Sequence, residues 1–305
     1  MIRLHRFGSA LLVALALFAV TAAAPLYAGE GIPVSGLRQI THIHGIAVDG
    51  RDPSRLYVAT HHGFFVVSSD GIATRVSEVS DDFMGFTPHP TDPGILYGSG
   101  HPARGGNVGF IMSSDGGRSW RQLSKGANGP VDFHQMDVSK ADPTVIYGVY
   151  DGLQVSRDGG RSWSIVGPAP DGLLDLATSS RDVNTVFAAT RNGLLLSRDG
   201  GRTWQDAYVI KRAASMVETG RDGSVYAFIS GVGLIRTTEP GLNWTPLSRD
   251  FGDRFILHLA IHPIDANKLY AVTQHSEVIA STDGGRGWRM FGTGEPFPQL
   301  GQRTQ

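Results

Sequence analysis

An eight-residue turn of the form Ser-x-Asp-Gly-Gly-x-Ser/Thr-Trp recurs along this chain, and its spacing limits the folds open to it. It reads SSDGGRSW (Ser113–Trp120), SRDGGRSW (Ser156–Trp163) and SRDGGRTW (Ser197–Trp204). STDGGRGW (Ser281–Trp288) differs at one position, TTEPGLNW (Thr237–Trp244) is a worn copy, and SSDGIATR (Ser68–Arg75) keeps only the front half. The acidic positions 70, 115, 158, 199, 239 and 283 lie 40 to 45 residues apart, the period of a four-stranded propeller blade. All five tryptophans fall inside these motifs, which assigns them to packing. The aspartate is expected to bond backbone N–H groups of its own turn, the glycines to take positive φ, and the indole to wedge against a neighbouring blade.

A second signature precedes each turn: DPSRLYVAT, DPGILYGSG, DPTVIYGVY, DVNTVFAAT, DGSVYAFIS and DANKLYAVT. Each reads as a turn followed by an alternating, β-rich strand. One blade is then an inner strand (Ile43–Val48 in the first), the LYVAT-type strand, the strand entering the motif and the strand leaving it. The expected fold is all-β, a single propeller of six four-stranded blades. A seventh blade closed by Ile32–Ile40 and the C-terminal tail is the alternative count. Two separate β-sandwiches fit less well, because the repeat runs evenly from Ile43 to about Thr293 with no linker of biased composition. Ring closure removes the exposed sheet edges that an open repeat would leave.

The start of the chain reads as a processing signal: Arg3 and Arg6, an apolar run from Leu11 to Val20, then small residues to Ala28. The expected division is a signal peptide over 1–28 and a propeller domain over 29–305, located in the periplasm or secreted. A retained anchor is the alternative, although the apolar run is short for a bilayer span, and no stable membrane insertion is expected after cleavage. With no cysteine in 305 residues, disulfides, thiolate metal sites and a cysteine nucleophile are excluded. Removing 1–28 leaves 25 basic against 28 acidic residues, so nothing electrostatic points to a nucleic-acid partner.

The repeated turns resemble those of the Asp-box (BNR) superfamily, which includes sialidases, sortilin-type propellers and photosystem II assembly-factor propellers. A closer resemblance, carried by THIHGIAVD, LYVATHHG, DFMGF, SGHPARGG and VDFHQ, is to small exported bacterial propellers labelled glycosyl-hydrolase-like. The resemblance implies the propeller fold. It brings no activity with it, because in that superfamily the turns are structural and lie at the blade periphery. A sialidase would need three arginines for a substrate carboxylate and a FRIP-type segment before the first motif. This chain lacks the segment, and seven of its arginines sit within or beside the repeated turns.

Aligning the blades on the Asp of each DP-like turn exposes an asymmetry. Eight residues earlier stand His44, Met84, His134, Leu174, Ala214 and Leu257; four residues after the LY-type aromatic stand His61, His101, Asp151, Arg191, Ser230 and Gln274. Both columns belong at one end of the ring, and only blades 1–3 carry metal-binding side chains in them. The candidate ligands are therefore His44, His61, Met84, His101, His134 and Asp151. The thioether tilts the expected ion towards copper, with zinc the alternative. His42 and His62 stand beside candidates, Asp81, Asp82 and Asp132 are placed to orient imidazoles, and the loop from His101 to Gly109 is placed to lid this end. Against this, single strand histidines are commonly surface or hydrogen-bonded residues, and Met84 between Phe83 and Phe86 reads equally as core.

Three function classes follow. The first is a metal-handling protein that takes a small ligand or metal ion. The second is a glycosidase or lyase using two carboxylates from Asp82, Asp132, Asp151 and Asp175. The third is an assembly scaffold with a protein partner. No G-x-S-x-G nucleophile elbow and no phosphate-binding glycine loop before a helix occurs.

Overall fold

The computed structural model describes residues 31–249 and 251–297; the segment 1–28, expected to be a signal peptide, lies outside them. Six antiparallel sheets, each from one contiguous stretch of chain, are arranged around an axis as a propeller. The inner strands are Ile43–Val48, Asp82–Pro88, Gln135–Val138, Leu173–Thr178, Ala214–Thr219 and Ile256–Ile261. The inner strand of blade 1 packs beside those of blades 2 and 6, which closes the ring. No seventh blade forms among the described residues: Ile32–Pro33 pairs with Ile72–Arg75 as a fifth strand on the outer edge of blade 1.

The second strands, such as Leu56–Thr60 and Val186–Thr190, are buried along their whole length. Their Val, Leu, Ala and Phe residues face a neighbouring blade on both sides, so a continuous apolar run replaces simple alternation. The seam between blades 1 and 6 is filled from the N-terminal side, where Val34 and Leu37 join Val58, Val67, Val272 and Val278 in one core.

The four turns that begin at Ser113, Ser156, Ser197 and Ser281 have a common construction. In the second blade, Asp115 accepts hydrogen bonds from the backbone N–H of Arg118 and Ser119 and from the hydroxyls of Ser113 and Ser119. Gly117, at φ 85°, donates its N–H to Ser113 Oγ, and Trp120 Nε1 donates to the Gly117 carbonyl. Each indole then faces the preceding blade. The Trp120 ring lies 5.3 Å from Phe64 of blade 1, and the Trp163 ring lies 5.3 Å from Phe110 of blade 2. Gly117 also leaves room for that contact, since a Cβ there would stand 2.3 Å from the Phe64 ring.

Candidate metal centre

The starts of the inner strands and the ends of the second strands meet at one end of the axis. His44 reaches it through a β-bulge: the ladder pairs Ile43 with Thr60 and Gly45 with Ala59, leaving His44 as the extra residue. A bulge frees its residue from the pleat and re-aims the side chain. Asp82 and His101 are direct cross-strand partners at the end of blade 2. Asp132 and His134 enter from the segment before the third inner strand. That segment is pinned by Phe133, whose N–H donates to Ser99 Oγ at 2.9 Å.

These residues form one connected array across three blades. His61 Nδ1 is 2.6 Å from Asp82 Oδ2, and His44 Nε2 is 3.8 Å from Asp82 Oδ1. His101 lies between the two carboxylates, Nε2 3.8 Å from Asp82 Oδ2 and Nδ1 3.4 Å from Asp132 Oδ2. His134 Nε2 closes the far side at 2.8 Å from Asp132 Oδ2. The ligand atoms of His44, His61 and Asp82 lie within 4.8 Å of one another, as do those of His101, Asp132 and His134. Each trio is two imidazoles and one carboxylate, a donor set suited to a first-row divalent ion.

Four of the six residues expected from the sequence thus converge: His44, His61, His101 and His134. Met84 is two residues beyond Asp82, buried and paired with Ser99. Asp151 belongs to neither trio; it sits exposed in the turn before Leu153–Ser156 at φ 50°, a conformation that Asp tolerates better than most residues. The sequence treats Asp82 and Asp132 as orienting groups, whereas the structure sets each within the trio. His42 is exposed, its ring 5.9 Å from that of His61, and His62 Nδ1 faces Thr41 Oγ1. Asp81 braces the lid loop by accepting the Ala103 N–H at 3.2 Å.

Burial, reinforced by the neighbouring His61, lowers the pKa of His44 to about 3, so the imidazole is neutral and available as a ligand. The hydrogen bond to Asp132 outweighs partial burial at His134 and raises its pKa. Six buried side-chain N or O atoms among the described residues lack a hydrogen-bond partner, and three of them are His44 Nε2, Asp82 Oδ1 and Asp132 Oδ1. Buried polar atoms are normally satisfied, so this concentration in one array is informative.

His258, which lies outside both aligned columns, packs near His44 and is also held neutral. Burial lowers its pKa to about 4, against a backbone hydrogen bond to Ile43 that works the other way. The unfolded chain therefore takes up this proton first as pH falls, and native stability is lost between about pH 6.5 and pH 4. Urea unfolding of the metal-free protein at pH 7 and 4.5 is expected to show this loss, with about 2 kcal/mol of it absent in His258→Gln. An equal loss in both proteins would refute the assignment.

Asp175, a candidate acid from the sequence, is turned to structure. Its carboxylate accepts the backbone N–H groups of Leu176 and Val217, tying blade 4 to blade 5, and burial drives its pKa well up. The opposite end of the axis holds a cavity of about 460 Å³. Lys140 lies in its wall, 3.1 Å from Asp137 and 3.3 Å from Glu218. Burial disfavours that ammonium, but the two carboxylates prevail and hold its pKa above the ordinary value. Asp137 and Lys140 come from the third blade and Glu218 from the fifth, and no repeated motif marks them in the sequence.

No family model matches the chain. A 72-residue stretch, 24% of the chain, is 33% identical to the vacuolar protein sorting/targeting protein 10 of Colletotrichum graminicola, of which it spans 5%. Among solved structures, a GH74 enzyme of Niastella koreensis is similar with a TM-score of 0.57 and 14% identity, over 82% of this chain and 45% of that one. YCF48 bound to D1 peptide is similar with a TM-score of 0.51 and 16% identity, over 85% and 83%. The chain spans less than half of the glycoside hydrolase and about five-sixths of YCF48. At these identities the likeness establishes the fold alone, a β-propeller, which in this chain has six blades.

Proposed function

We propose that this is an exported propeller that binds a divalent metal ion at the His44–Asp82–His134 end of its axis. The observation that carries the reading is the set of partnerless buried atoms, His44 Nε2, Asp82 Oδ1 and Asp132 Oδ1, concentrated among four imidazoles. The residues fit a metal on two counts. Their donors are the nitrogen and oxygen types that divalent ions take, and carboxylates beside the imidazoles set ring orientation. The expectation of copper from Met84 shifts accordingly. With Asp donors in place of a thioether, the donor set suits zinc or copper(II) better than copper(I). Export rests on the Met1–Ala28 segment.

The glycosidase reading is weaker, because Asp82 and Asp132 are both engaged by imidazoles and Asp175 by backbone N–H groups. A protein-binding scaffold is the second reading, favoured by the similarity along most of both chains to the peptide-bound YCF48 propeller.

The test is metal content by mass spectrometry. The protein, purified without a histidine tag after incubation with zinc or copper, is compared with His44→Ala/His101→Ala/His134→Ala. Retained metal in the wild type, lost from a folded variant, is the expected result. A wild type that keeps no metal would overturn the metal reading and leave the scaffold.

A further inference from the structure

The donors are too widely spread for one ion. Zinc–nitrogen and zinc–oxygen bonds are about 2.0–2.2 Å, so ligand atoms on one ion stand within about 4.4 Å of each other even when opposed. The ligand atoms of His44, His61 and Asp82 lie within 4.8 Å of one another, and so do those of His101, Asp132 and His134, a spread that small side-chain shifts bring to that reach, whereas the two trios remain separate groups. Each half also carries its own partnerless buried atoms: His44 Nε2 and Asp82 Oδ1 in one, Asp132 Oδ1 in the other. A single ion would satisfy one half and leave the other half's buried oxygen or nitrogen unpaired, at a desolvation cost.

From this, and resting on the metal reading above, we infer that the site is binuclear: one ion held by His44, His61 and Asp82, a second by His101, Asp132 and His134. The two halves are joined through His101. Its Nδ1 faces Asp132, within the second trio, while its Nε2 faces Asp82 of the first at 3.8 Å. Asp82 therefore serves the first ion and steadies a ligand of the second, in the way outer carboxylates orient metal-bound histidines. Three protein donors on each side leave coordination positions free, as in sites that bind water or an exchangeable ligand rather than purely structural ions.

Native mass spectrometry with zinc alone tests the count. The wild type is expected to take up two equivalents, His44→Ala/His61→Ala one, His101→Ala/His134→Ala one, and the variant with all four changes none. Circular dichroism of each metal-free variant against the wild type establishes that it is folded. One equivalent in the wild type would overturn the binuclear inference while leaving the metal reading intact. No uptake, or uptake undiminished in the fourfold variant, would overturn both.

Discussion

Saturating zinc is expected to raise the thermal unfolding midpoint of the protein by about 5–10 °C for each ion held, and Asp82→Asn is expected to abolish about half of the total rise. An ion that binds only the folded state stabilises it by about 2.7 kcal/mol at a hundredfold excess over its Kd. For a domain of this size each kcal/mol is worth about 2–4 °C. Asp82 is the residue to change, because its two oxygens face His44, His61 and His101 together. Asparagine keeps the shape and removes the charge, so the metal-free variant should fold and melt near the wild type. Differential scanning calorimetry with and without zinc reads both numbers. A variant that keeps the full rise would show that the ion is held elsewhere, for instance by the exposed His42 or His62.

Phe64→Ala is expected to cost about 3–5 kcal/mol, the range for truncating a fully buried aromatic, and to lower the midpoint by roughly 10 °C. Phe64 is completely buried in the seam between blades 1 and 2. Its ring lies 5.0 Å from Phe86, 5.3 Å from Trp120 and 5.9 Å from Phe83, and the backbone of Gly117 approaches it closely. The cavity would open where the second blade's tryptophan wedges against the first. Because blades are held to one another mainly by such seams, the loss should appear in one cooperative transition. Val209→Ala, at a side chain 83% exposed, is the control and should change stability by less than about 0.5 kcal/mol. A Phe64→Ala loss no larger than the control's would mean that the seam carries little of the stability.

Much of the candidate site is legible because repeat proteins make equivalent positions comparable within one chain. His44 against Leu174 and Leu257, or His101 against Arg191 and Gln274, stand out only once the blades are aligned. That comparison picks out the end of the ring where the array forms and four of its imidazoles. It is silent on Asp82 and Asp132 as partners within the trios, because they fall outside the two columns. Asp82 precedes Met84 by two residues, and it is the cross-strand pairing with His101 that aims it at the array. Met84 and Asp151 stand in the same columns, yet neither joins a trio. One is buried in its strand and the other is committed to a positive-φ turn.

By itself, then, the sequence determined the repeat and the turn chemistry, while the structure decided six blades over seven by placing Ile32–Pro33 on the edge of blade 1. Repeat and turn chemistry depend on interactions within a few residues: an Asp bonding the N–H groups three and four positions on, a glycine at positive φ, an indole bonded to the preceding turn. Tertiary structure alone decided which polar atoms face each other. The bulge at His44, the pairing of Asp82 with His101 and the entry of Asp132 from the third blade bring together residues up to 90 positions apart. Side-chain donors at such separations have no local energetic link. Only ring closure and blade-on-blade packing bring them within a few ångströms, and so only the folded chain has this array.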